Sequence, residues 1–298
     1  MRSYKTERTL PLMTSSHTEP LEAASPGDVA SDLDAAEERL AAELIRLQRV
    51  VVAFSGGTDS AFLAYTARRV LGRQRVLALT ADSPSLASGE LEHCARLARD
   101  WDIEWQTVQT DEMSNDDYRA NRGDRCYWCK TALMDVIGPQ AEASGAVVVL
   151  GVNIDDLGEH RPGQTAAAER GAQFPMVDAG LTKETIRALS KRAGLVTWDR
   201  PAAACLSSRL PYGTPVTLQT LSKVDRAEAA LRRIGFDQLR VRHYHDTARI
   251  ELPVDALAQA IAQRHDVVRA VKSVGYVYVT LDLEGFRSGN LNAALDVD

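Results

Sequence analysis

The stretch SGGTDS at positions 55–60 limits the fold of this chain more than any other feature. The apolar run VVVAF precedes it and AFLAYTARRVL follows with apolar residues at helical spacing, so the sequence predicts a buried strand, a glycine turn and a helix. The first N–H groups of such a helix lack intrahelical partners and carry the positive end of its dipole. Gly56 and Gly57 permit close backbone approach, and Ser55 and Ser60 add hydroxyl donors. The pattern predicts a phosphate site.

This stretch matches neither the Walker pattern nor the dinucleotide-binding pattern GxGxxG. It resembles the PP-loop of the N-type ATP pyrophosphatases, which cleave ATP to AMP and pyrophosphate. An ordinary glycine-rich turn is the alternative, and the strand before the glycines, the helix after them and the flanking hydroxyl groups argue against it.

Strands and helices alternate along the first two thirds of the chain, which is typical of α/β proteins with a parallel sheet. Apolar runs predict further strands from Arg75, over 103–112 and from Ala146. The loops that follow parallel strands meet at one edge of the sheet, where ligands bind. We expect this edge to gather three residues of a nucleotide site, namely Ser55, Ala81 and Asn153.

Changes in composition predict three parts of the chain. Residues 1–32 are rich in Ser, Thr, Glu and Pro and are predicted to be a disordered tail, with the first helix beginning at Leu33. The α/β domain is expected over 33–200, and a proline-rich loop marks the start of a small α+β domain over 201–298. Its predicted order is helix 217–235, strand 239–244, strand 247–252, helix 254–270 and strand 274–283.

The composition is that of a globular protein, with 45% hydrophobic and 26% charged residues in 298. No apolar run is long enough to span a bilayer and the N-terminus lacks a signal-peptide core, so we expect a cytoplasmic protein without a membrane partner. The net charge of −6 argues against nucleic acid as a partner. Four cysteines do not make a disulfide framework in a chain of this length, and Cys94 is interpreted as a buried helix residue.

Three cysteines form a candidate metal site. Cys126 and Cys129 make a C-x-x-C at the start of a predicted helix, and Cys205 lies at the predicted domain junction. Three thiolates can hold a [4Fe–4S] cluster that has one open iron. The same cysteines with His160 or His243 can instead hold zinc, and the sequence leaves both possibilities open.

Basic residues on two predicted strands form a third candidate site. Arg240 and Arg242 alternate on one strand and therefore share a face, and Arg249 lies on the next strand. Two adjacent guanidinium groups repel each other unless an anion lies between them. Alone, the pattern favours a solvated sheet face. An anion such as phosphate or carboxylate would make it a binding site.

Five longer motifs are similar to the LarE family of ATP-dependent sulfur transferases: RCYWCK, GVNIDDLGEHRPG, AGLTKETIRALS, ACLSSRLPYGT and RVRHYHDTARIE. The similarity covers about residues 35–285. It implies a Rossmann-like, adenine nucleotide alpha hydrolase-like parallel sheet. It also implies an enzyme that adenylates the carboxylates of pyridinium-3,5-biscarboxylic acid mononucleotide and replaces them with thiocarboxylates, during biosynthesis of the nickel-pincer nucleotide cofactor.

The resemblance implies roles for single residues, of which Cys205, Asp59 and Glu228 are the predicted catalytic ones. The ATP pyrophosphate, bridged by Mg²⁺, would be bound by Ser55, Gly56, Gly57, Asp59, Ser60 and Arg161, beside Ala81 and Asn153. The mononucleotide pocket would contain Glu228, Arg240, Arg242 and Glu251. The cysteines that would bind a [4Fe–4S] cluster are Cys126, Cys129 and Cys205.

The three cysteines resemble one of two family branches. In the other branch, which lacks the C-x-x-C, the sulfur-bearing cysteine gives up its own sulfur and becomes dehydroalanine. Here sulfide or a sulfur-donor protein would resupply the site, and the resemblance also suggests a homo-oligomer.

Three other functions fit parts of the pattern. A PP-loop tRNA thiolase would need a basic RNA-binding surface, which the acidic charge opposes. An amide-forming ligase of the NAD or GMP synthase type leaves the cysteines unexplained. A non-catalytic nucleotide-binding regulator is the third. Exchange between ATP and pyrophosphate with candidate acids separates these functions.

Overall fold

The computed structural model describes residues 26–158, 161–201 and 204–287, so residues 1–25 of the predicted 1–32 tail lie outside the described residues. The helices and strands in chain order are α1 Pro26–Leu47, β1 Val50–Ala53, α2 Thr58–Leu71, β2 Val76–Asp82, α3 Glu90–Asp100, β3 Glu104–Gln109, α4 Asp116–Arg119, α5 Arg125–Ala143, β4 Val147–Leu150, α6 Pro162–Glu169, α7 Pro175–Asp178, α8 Lys183–Arg192, α9 Leu218–Arg232, β5 Arg240–Tyr244, β6 Thr247–Glu251, α10 Leu257–Ala262, α11 Arg264–Lys272 and β7 Tyr278–Leu281.

The first four strands form one parallel sheet in the order β3-β2-β1-β4. The central strand β1 pairs with both neighbours, so that Val50 lies opposite Val76 on one side and Val147 on the other. Because helices cover both faces of such a sheet, its central strands are apolar throughout, as VVVA in β1 shows. The predicted α/β class with a parallel sheet is confirmed.

Two apolar cores lie on opposite faces of this sheet. On one face, Leu40 and Leu44 of α1 pack with Leu63 of α2 and Ile186 of α8. On the other, β-strand residues such as Val148 pack against α5 and α6. The cores hold the sheet rigid from both sides, and the loops after the strands rest on this scaffold.

The last three strands form a second, smaller sheet in the order β5-β6-β7, with β5–β6 antiparallel and β6–β7 parallel. Helices α9, α10 and α11 supply its core. The predicted element order is observed, but the helix predicted over 254–270 is divided at Gln263, where the backbone leaves the helical region (φ −93°, ψ 18°).

The first helix starts earlier than the sequence pattern indicates. It begins at Pro26, whereas the predicted start is Leu33. Proline suits the first position of a helix because the N–H group it lacks would have no intrahelical partner there. The polar composition after Pro26 hid this extension, because apolar periodicity begins only with Leu33.

A small apolar cluster spans the predicted domain boundary near residue 200. Tyr118 at α4 packs with Leu206, Leu210 and Val216, which precede α9. The segment that carries Cys205 is therefore packed against the first sheet's helices as well as leading into the second sheet. The division into two domains at this point stays a prediction.

Among the described residues, none of the helices has both the length and the apolar character that crossing a lipid bilayer would require.

Candidate functional site

The SGGTDS loop joins the end of β1 to the start of α2, as the sequence predicts. Gly56 has a left-handed backbone (φ 68°), and Gly57 occupies the N-cap position, where it has no side chain to satisfy the first N–H groups of α2. The Ser60 hydroxyl accepts a hydrogen bond from the Ser55 N–H (3.2 Å) and lies 3.0 Å from the Ser55 hydroxyl. The loop therefore closes on itself and leaves the helix N–H groups available to an anion.

Two close approaches form the walls of this loop. A Cβ on Gly151, just after β4, would lie 2.6 Å from the Ser60 nitrogen, so only glycine fits there. A Cβ on Gly56 would lie 2.9 Å from the Cys94 sulfur and from His93 on α3. The loop is thus a cradle whose backbone is pressed between α3 and the end of β4.

Asp59 in the first turn of α2 is held by residues from two other elements. Its carboxylate is paired with the Lys183 ammonium at the start of α8 and accepts a hydrogen bond from the Asn153 amide (3.4 Å). The Lys183 N–H donates to Asp155 (2.7 Å). The sequence carried no signal for Lys183, because its contact with Asp59 joins residues that lie 124 positions apart in the chain.

The other predicted nucleotide residues lie at the same edge. Ala81 is near the carboxyl end of β2, and Asn153 follows β4 and is buried. Arg161 forms an ion pair with Asp156 (2.8 Å), and burial is the main cause that raises the pKa of Asp156. The expected edge is therefore assembled from the ends of β1, β2 and β4.

The three candidate sulfur ligands all have free thiols. Cys126 is exposed and Cys129 partly exposed in the first turns of α5, and Cys205 is partly exposed just before the turn Leu206–Arg209. Burial, followed by nearby charges that include Cys205 and Cys126, raises the pKa of Cys129 to about 12. Two of the three candidate ligands thus lie at the start of α5, and the third precedes the turn Leu206–Arg209.

Within the described residues, no three His, Cys, Asp or Glu side chains are arranged as a metal site. His160 lies outside the described residues. His243 lies in the second sheet, where its Nδ1 is 3.0 Å from the Tyr276 hydroxyl. In the zinc arrangement that uses His243 as the fourth ligand, the Nδ1 atom of this histidine is therefore already within hydrogen-bond distance of Tyr276.

Buried polar contacts fix the backbone that directly follows Cys205. The Leu206 N–H donates to the Ser85 carbonyl (2.8 Å), and the buried Arg125 guanidinium donates to the Ser207 carbonyl (2.8 Å). Tyr118 shares a hydrogen bond with the Ser207 hydroxyl (2.7 Å). The loop after β2 and the start of α5 thus position the cysteine segment.

A buried carboxylate, Glu112, lies close to this cluster and was not found from the sequence. It is 1% exposed and accepts a hydrogen bond from the Ser83 hydroxyl through Oε1, whereas its Oε2 has no hydrogen-bond partner among the described residues. Its charge contributes to the raised pKa of Cys129. No periodicity marks an acidic residue after β3 as buried, so the sequence carried no signal for it.

Two buried ion pairs connect the cysteine segment to the second sheet. Arg209 pairs with Glu228 of α9 (2.9 Å) and also donates to the Cys205 carbonyl (3.2 Å). Arg242 forms a two-pronged pair with Glu251 (2.9 Å for each oxygen) and donates to the Ser208 carbonyl (2.7 Å) in the cysteine segment. The anion that lets Arg242 remain buried is therefore a carboxylate of this chain.

Arg240 differs from Arg242 although both lie on β5. It is 5% exposed, lies over the Phe286 ring (4.4 Å) and donates to the Arg287 carbonyl (3.2 Å), and no carboxylate of the described residues pairs with it. Burial first, and then the charges of Arg209 and Arg242, lower its pKa to about 10. A buried guanidinium without an ion pair among the described residues is suited to binding an anion.

Cys94 has the structural role expected for it. It is fully buried on α3, and burial raises its pKa to about 11.

Comparisons with known proteins agree with this geometry. The sequence model of the NAD synthase family matches residues 37–122, which include the SGGTDS loop. A pyridinium-3,5-bisthiocarboxylic acid mononucleotide synthase of Lactiplantibacillus plantarum is 38% identical over 257 residues, which span 86% of this chain and 93% of that protein. Uncharacterized proteins of Synechocystis and Methanocaldococcus jannaschii are 46% and 26% identical, over 84% and 83% of this chain and 94% of each relative.

Proposed function

Because the chain belongs to the LarE family of PP-loop sulfur transferases, we propose that it adenylates the carboxylates of pyridinium-3,5-biscarboxylic acid mononucleotide and converts them to thiocarboxylates for the nickel-pincer nucleotide cofactor. The observation that carries the proposal is Arg209, which bonds both the Cys205 carbonyl and Glu228. The cysteine segment and the candidate mononucleotide pocket are thereby neighbours.

The chemistry explains why ATP is needed. A substrate carboxylate oxygen attacks the α-phosphorus of ATP, the bond to the pyrophosphate oxygen breaks, and pyrophosphate leaves. The carbonyl carbon of the resulting mixed anhydride is then attacked by a sulfur nucleophile, and AMP leaves with the electron pair of the broken C–O bond. Without adenylation, oxide would have to leave.

The residues of the PP-loop fit ATP and Mg²⁺, which the family implies. A Cβ would not fit at Gly56 or Gly151, and no side chain caps the N–H groups at the start of α2, so they are available to an anion. The Lys183 ammonium adds positive charge, and Asp59 offers a carboxylate oxygen to the metal. When bound, Mg²⁺ would neutralise charge that builds up on the departing pyrophosphate.

The second sheet fits the phosphate of the mononucleotide. Arg240 is buried and makes no ion pair with a carboxylate of the described residues, whereas Arg242 is paired with Glu251. We therefore assign the phosphate contact to Arg240, and give Arg242, Glu228 and Glu251 the role of holding the pocket in shape.

We propose further that Cys126, Cys129 and Cys205 hold a [4Fe–4S] cluster. The donor set supports this, because all three thiols are free and thiolates are the ligands that iron–sulfur clusters take. When bound, the cluster would supply an inorganic sulfur atom, so that Cys205 would keep its own. The protein's part is to hold the three thiolates beside the adenylation site.

Exchange of labelled pyrophosphate into ATP tests the function. We expect exchange only when the biscarboxylic mononucleotide is present, and thiocarboxylate product when sulfide is added. Gly57→Val and Asp59→Ala should abolish AMP formation in folded protein, because they disturb the loop that holds the phosphates. Exchange with nicotinic acid adenine dinucleotide, or product formation with ammonia, would instead identify an amide ligase.

Metal analysis of protein purified without oxygen tests the cluster. We expect a brown protein that contains iron and acid-labile sulfide, makes more than one product per chain when sulfide is supplied, and retains Cys205 by mass spectrometry. A colourless protein with stoichiometric zinc would reject the cluster. Dehydroalanine at position 205 after one turnover would place the chain in the sacrificial branch.

We also propose a cytoplasmic location and a homo-oligomer. The free thiols support a reducing compartment. Exposed apolar side chains on the second sheet and its helices support self-association. They are Val254, Ile261, Val277, Tyr278 and Leu283. Light scattering on the intact protein would give its mass, and a monomer at all concentrations would contradict the oligomer.

A further inference from the structure

The segment 197–200, between α8 and Cys205, is bonded directly to the PP-loop. The Thr58 hydroxyl at the start of α2 donates to the Thr197 carbonyl (2.8 Å) and is 3.3 Å from the Arg200 carbonyl. In return, the Arg200 guanidinium donates to the Gly56 carbonyl (3.0 Å). Thr58 is 4% exposed, so these contacts are shielded from water. The nucleotide loop and the segment that leads to Cys205 therefore form one bonded unit.

Arg200 ties this unit to a third element. While one of its terminal nitrogens bonds Gly56, the other bonds both carboxylate oxygens of Glu90 on α3 (2.8 and 3.0 Å). Both side chains are about one fifth exposed, at 22% and 18%, so solvent screens the pair only partly. A planar guanidinium can donate to both partners at once through different nitrogens, whereas a lysine side chain has a single nitrogen.

Contacts on the other side of Cys205 complete the arrangement. Arg200 lies five positions before Cys205 in the chain, and the Leu206 N–H immediately after it is held by Ser85. Along the chain, Cys205 is thus flanked by a residue bonded to the PP-loop, Arg200, and a residue bonded to the loop after β2, Leu206. A phosphate that binds Gly56–Thr58 acts on the first of these two bonds, and the second does not depend on it.

We propose that Arg200 is a positioning residue that couples occupancy of the PP-loop to the placement of Cys205. ATP bound at the loop N–H groups fixes the Gly56 carbonyl and Thr58, and Arg200 carries this restraint to the cysteine segment. Coupling of this kind is reciprocal, so a restrained Cys205 also favours ATP. The sulfur-transfer part of the inference rests on the proposed function, whereas the coupling itself does not.

The coupling has a chemical consequence. The acyl adenylate can react with sulfur, or with water, which forms a new C–O bond, expels AMP and regenerates the carboxylate with release of a proton. Sulfur wins only when it stands close to the carbonyl carbon at the moment the adenylate forms. Loss of the Arg200 contacts should therefore raise the amount of AMP released per thiocarboxylate made.

The first experiment needs no pyridinium substrate. Metal-free, reduced protein is alkylated with N-ethylmaleimide with or without a saturating, non-hydrolysable α,β-methylene analogue of ATP and Mg²⁺, and the rate at each cysteine is read by peptide mass spectrometry. In the wild type the analogue should slow alkylation of Cys205 about fivefold or more, the lower range of typical couplings. In Arg200→Ala the analogue should change the rate little, whereas the exposed Arg187→Ala control should behave as wild type.

Each outcome decides between coupling and a simpler cause. Equal protection of Cys205 in the wild type and in Arg200→Ala would show direct shielding by the nucleotide and overturn the proposal, as would no protection in the wild type. Should Arg200→Ala fail to fold, Arg200→Lys and Glu90→Gln test the same contacts, because each keeps the volume but breaks the fork. They should give intermediate protection, and full protection in both would also overturn it.

The second readout is the ratio of AMP to thiocarboxylate at saturating ATP. We expect this ratio to rise severalfold in Arg200→Ala and to stay unchanged in Arg187→Ala. If Arg200→Ala binds ATP more weakly but keeps the same ratio of AMP to thiocarboxylate, Arg200 only stabilises the PP-loop, and its proposed role in sulfur transfer is overturned. If no adenylation of the pyridinium acid occurs but the alkylation pattern holds, the proposed function fails and the coupling stands.

Discussion

At the scale of single residues, the nucleotide site depends on positions where nothing larger than a hydrogen atom fits. Gly151 presses on the backbone of Ser60, and its missing side chain lets the end of β4 close the PP-loop. Gly138, inside α5, has no atom near the position of a Cβ and no left-handed backbone. The two glycines share a residue type but differ completely in what surrounds them.

We predict that Gly151→Ala weakens ATP binding at least tenfold, because its methyl group would collide with backbone that cannot move without opening the loop. Gly138→Ala should leave ATP binding unchanged and stabilise the protein by up to about 1 kcal/mol, since alanine favours helix. Calorimetric titration with ATP and thermal unfolding measure both effects. Wild-type affinity in Gly151→Ala would show that the loop is not the nucleotide site.

Arg240 and Arg242 make a second contrast between residues of one type. Arg240 stays charged at neutral pH although burial, Arg209 and Arg242 lower its pKa to about 10, so its charge counts against the folded state below that pH. Arg242 is neutralised by Glu251, and losing it would leave a buried carboxylate without this partner.

We therefore predict opposite results for the two methionine variants. Arg240→Met should lose mononucleotide binding at least tenfold, with a change in stability within about 1 kcal/mol, because the lost contact with Phe286 offsets the relieved charge. Arg242→Met should destabilise the fold by about 3 kcal/mol. Titration with the pyridinium mononucleotide and chemical denaturation give the two numbers. If Arg240→Met binds the mononucleotide with wild-type affinity, Arg240 does not contact its phosphate.

At the scale of elements, the N-terminus of α8 shows what could be predicted from sequence and what could not. The pattern LTKET predicts Thr182 as the N-cap, since threonine precedes a helical run, and its hydroxyl accepts the Thr185 N–H (3.1 Å). Capping is local, so a few neighbouring residues determine it. The contact of Lys183 with Asp59 joins residues far apart in sequence and needed the assembled sheet. The same holds for the partner of Arg242.

Two caps of the same chemistry allow this element to be tested. Thr182 begins α8 and Thr217 begins α9, where its hydroxyl accepts the Thr220 N–H (3.1 Å). We predict that Thr182→Ala and Thr217→Ala each cost about 1 kcal/mol of stability. Only Thr182→Ala should also weaken ATP binding, because the first turn of α8 places Lys183 at the PP-loop. Equal ATP affinity in both variants would separate Lys183 from nucleotide binding.

At the scale of the whole molecule, charge separates the proposed function from a tRNA thiolase. The net charge of −6 gives no general attraction for a polyanion, and the buried Arg209 and Arg242 are each paired with a carboxylate. A small anion can still reach Arg240, because it needs one positive group and not an extended basic surface.

We predict no measurable binding of mixed tRNA in a filter assay at 0.15 M salt, under conditions in which the pyridinium mononucleotide binds. Lowering the salt should not produce tight binding, since few phosphates would find a basic partner. Micromolar tRNA affinity that falls steeply with salt would instead favour the thiolase. The mononucleotide titration is the positive control that the protein is active.

The position of β1 between β2 and β4 has a consequence for how the protein is made. β2 follows β1 closely, but Val50 pairs on its other side with Val147, roughly a hundred residues later. Pairing over such a separation forms slowly, and one edge of β1 waits unpaired while the chain is still emerging from the ribosome. Gly151 and Asn153 arrive only after β4, so a nascent chain cannot retain ATP until that strand has been added. Nucleotide binding is thus a property that the growing chain acquires late, shortly before the segment that carries Cys205 is synthesised.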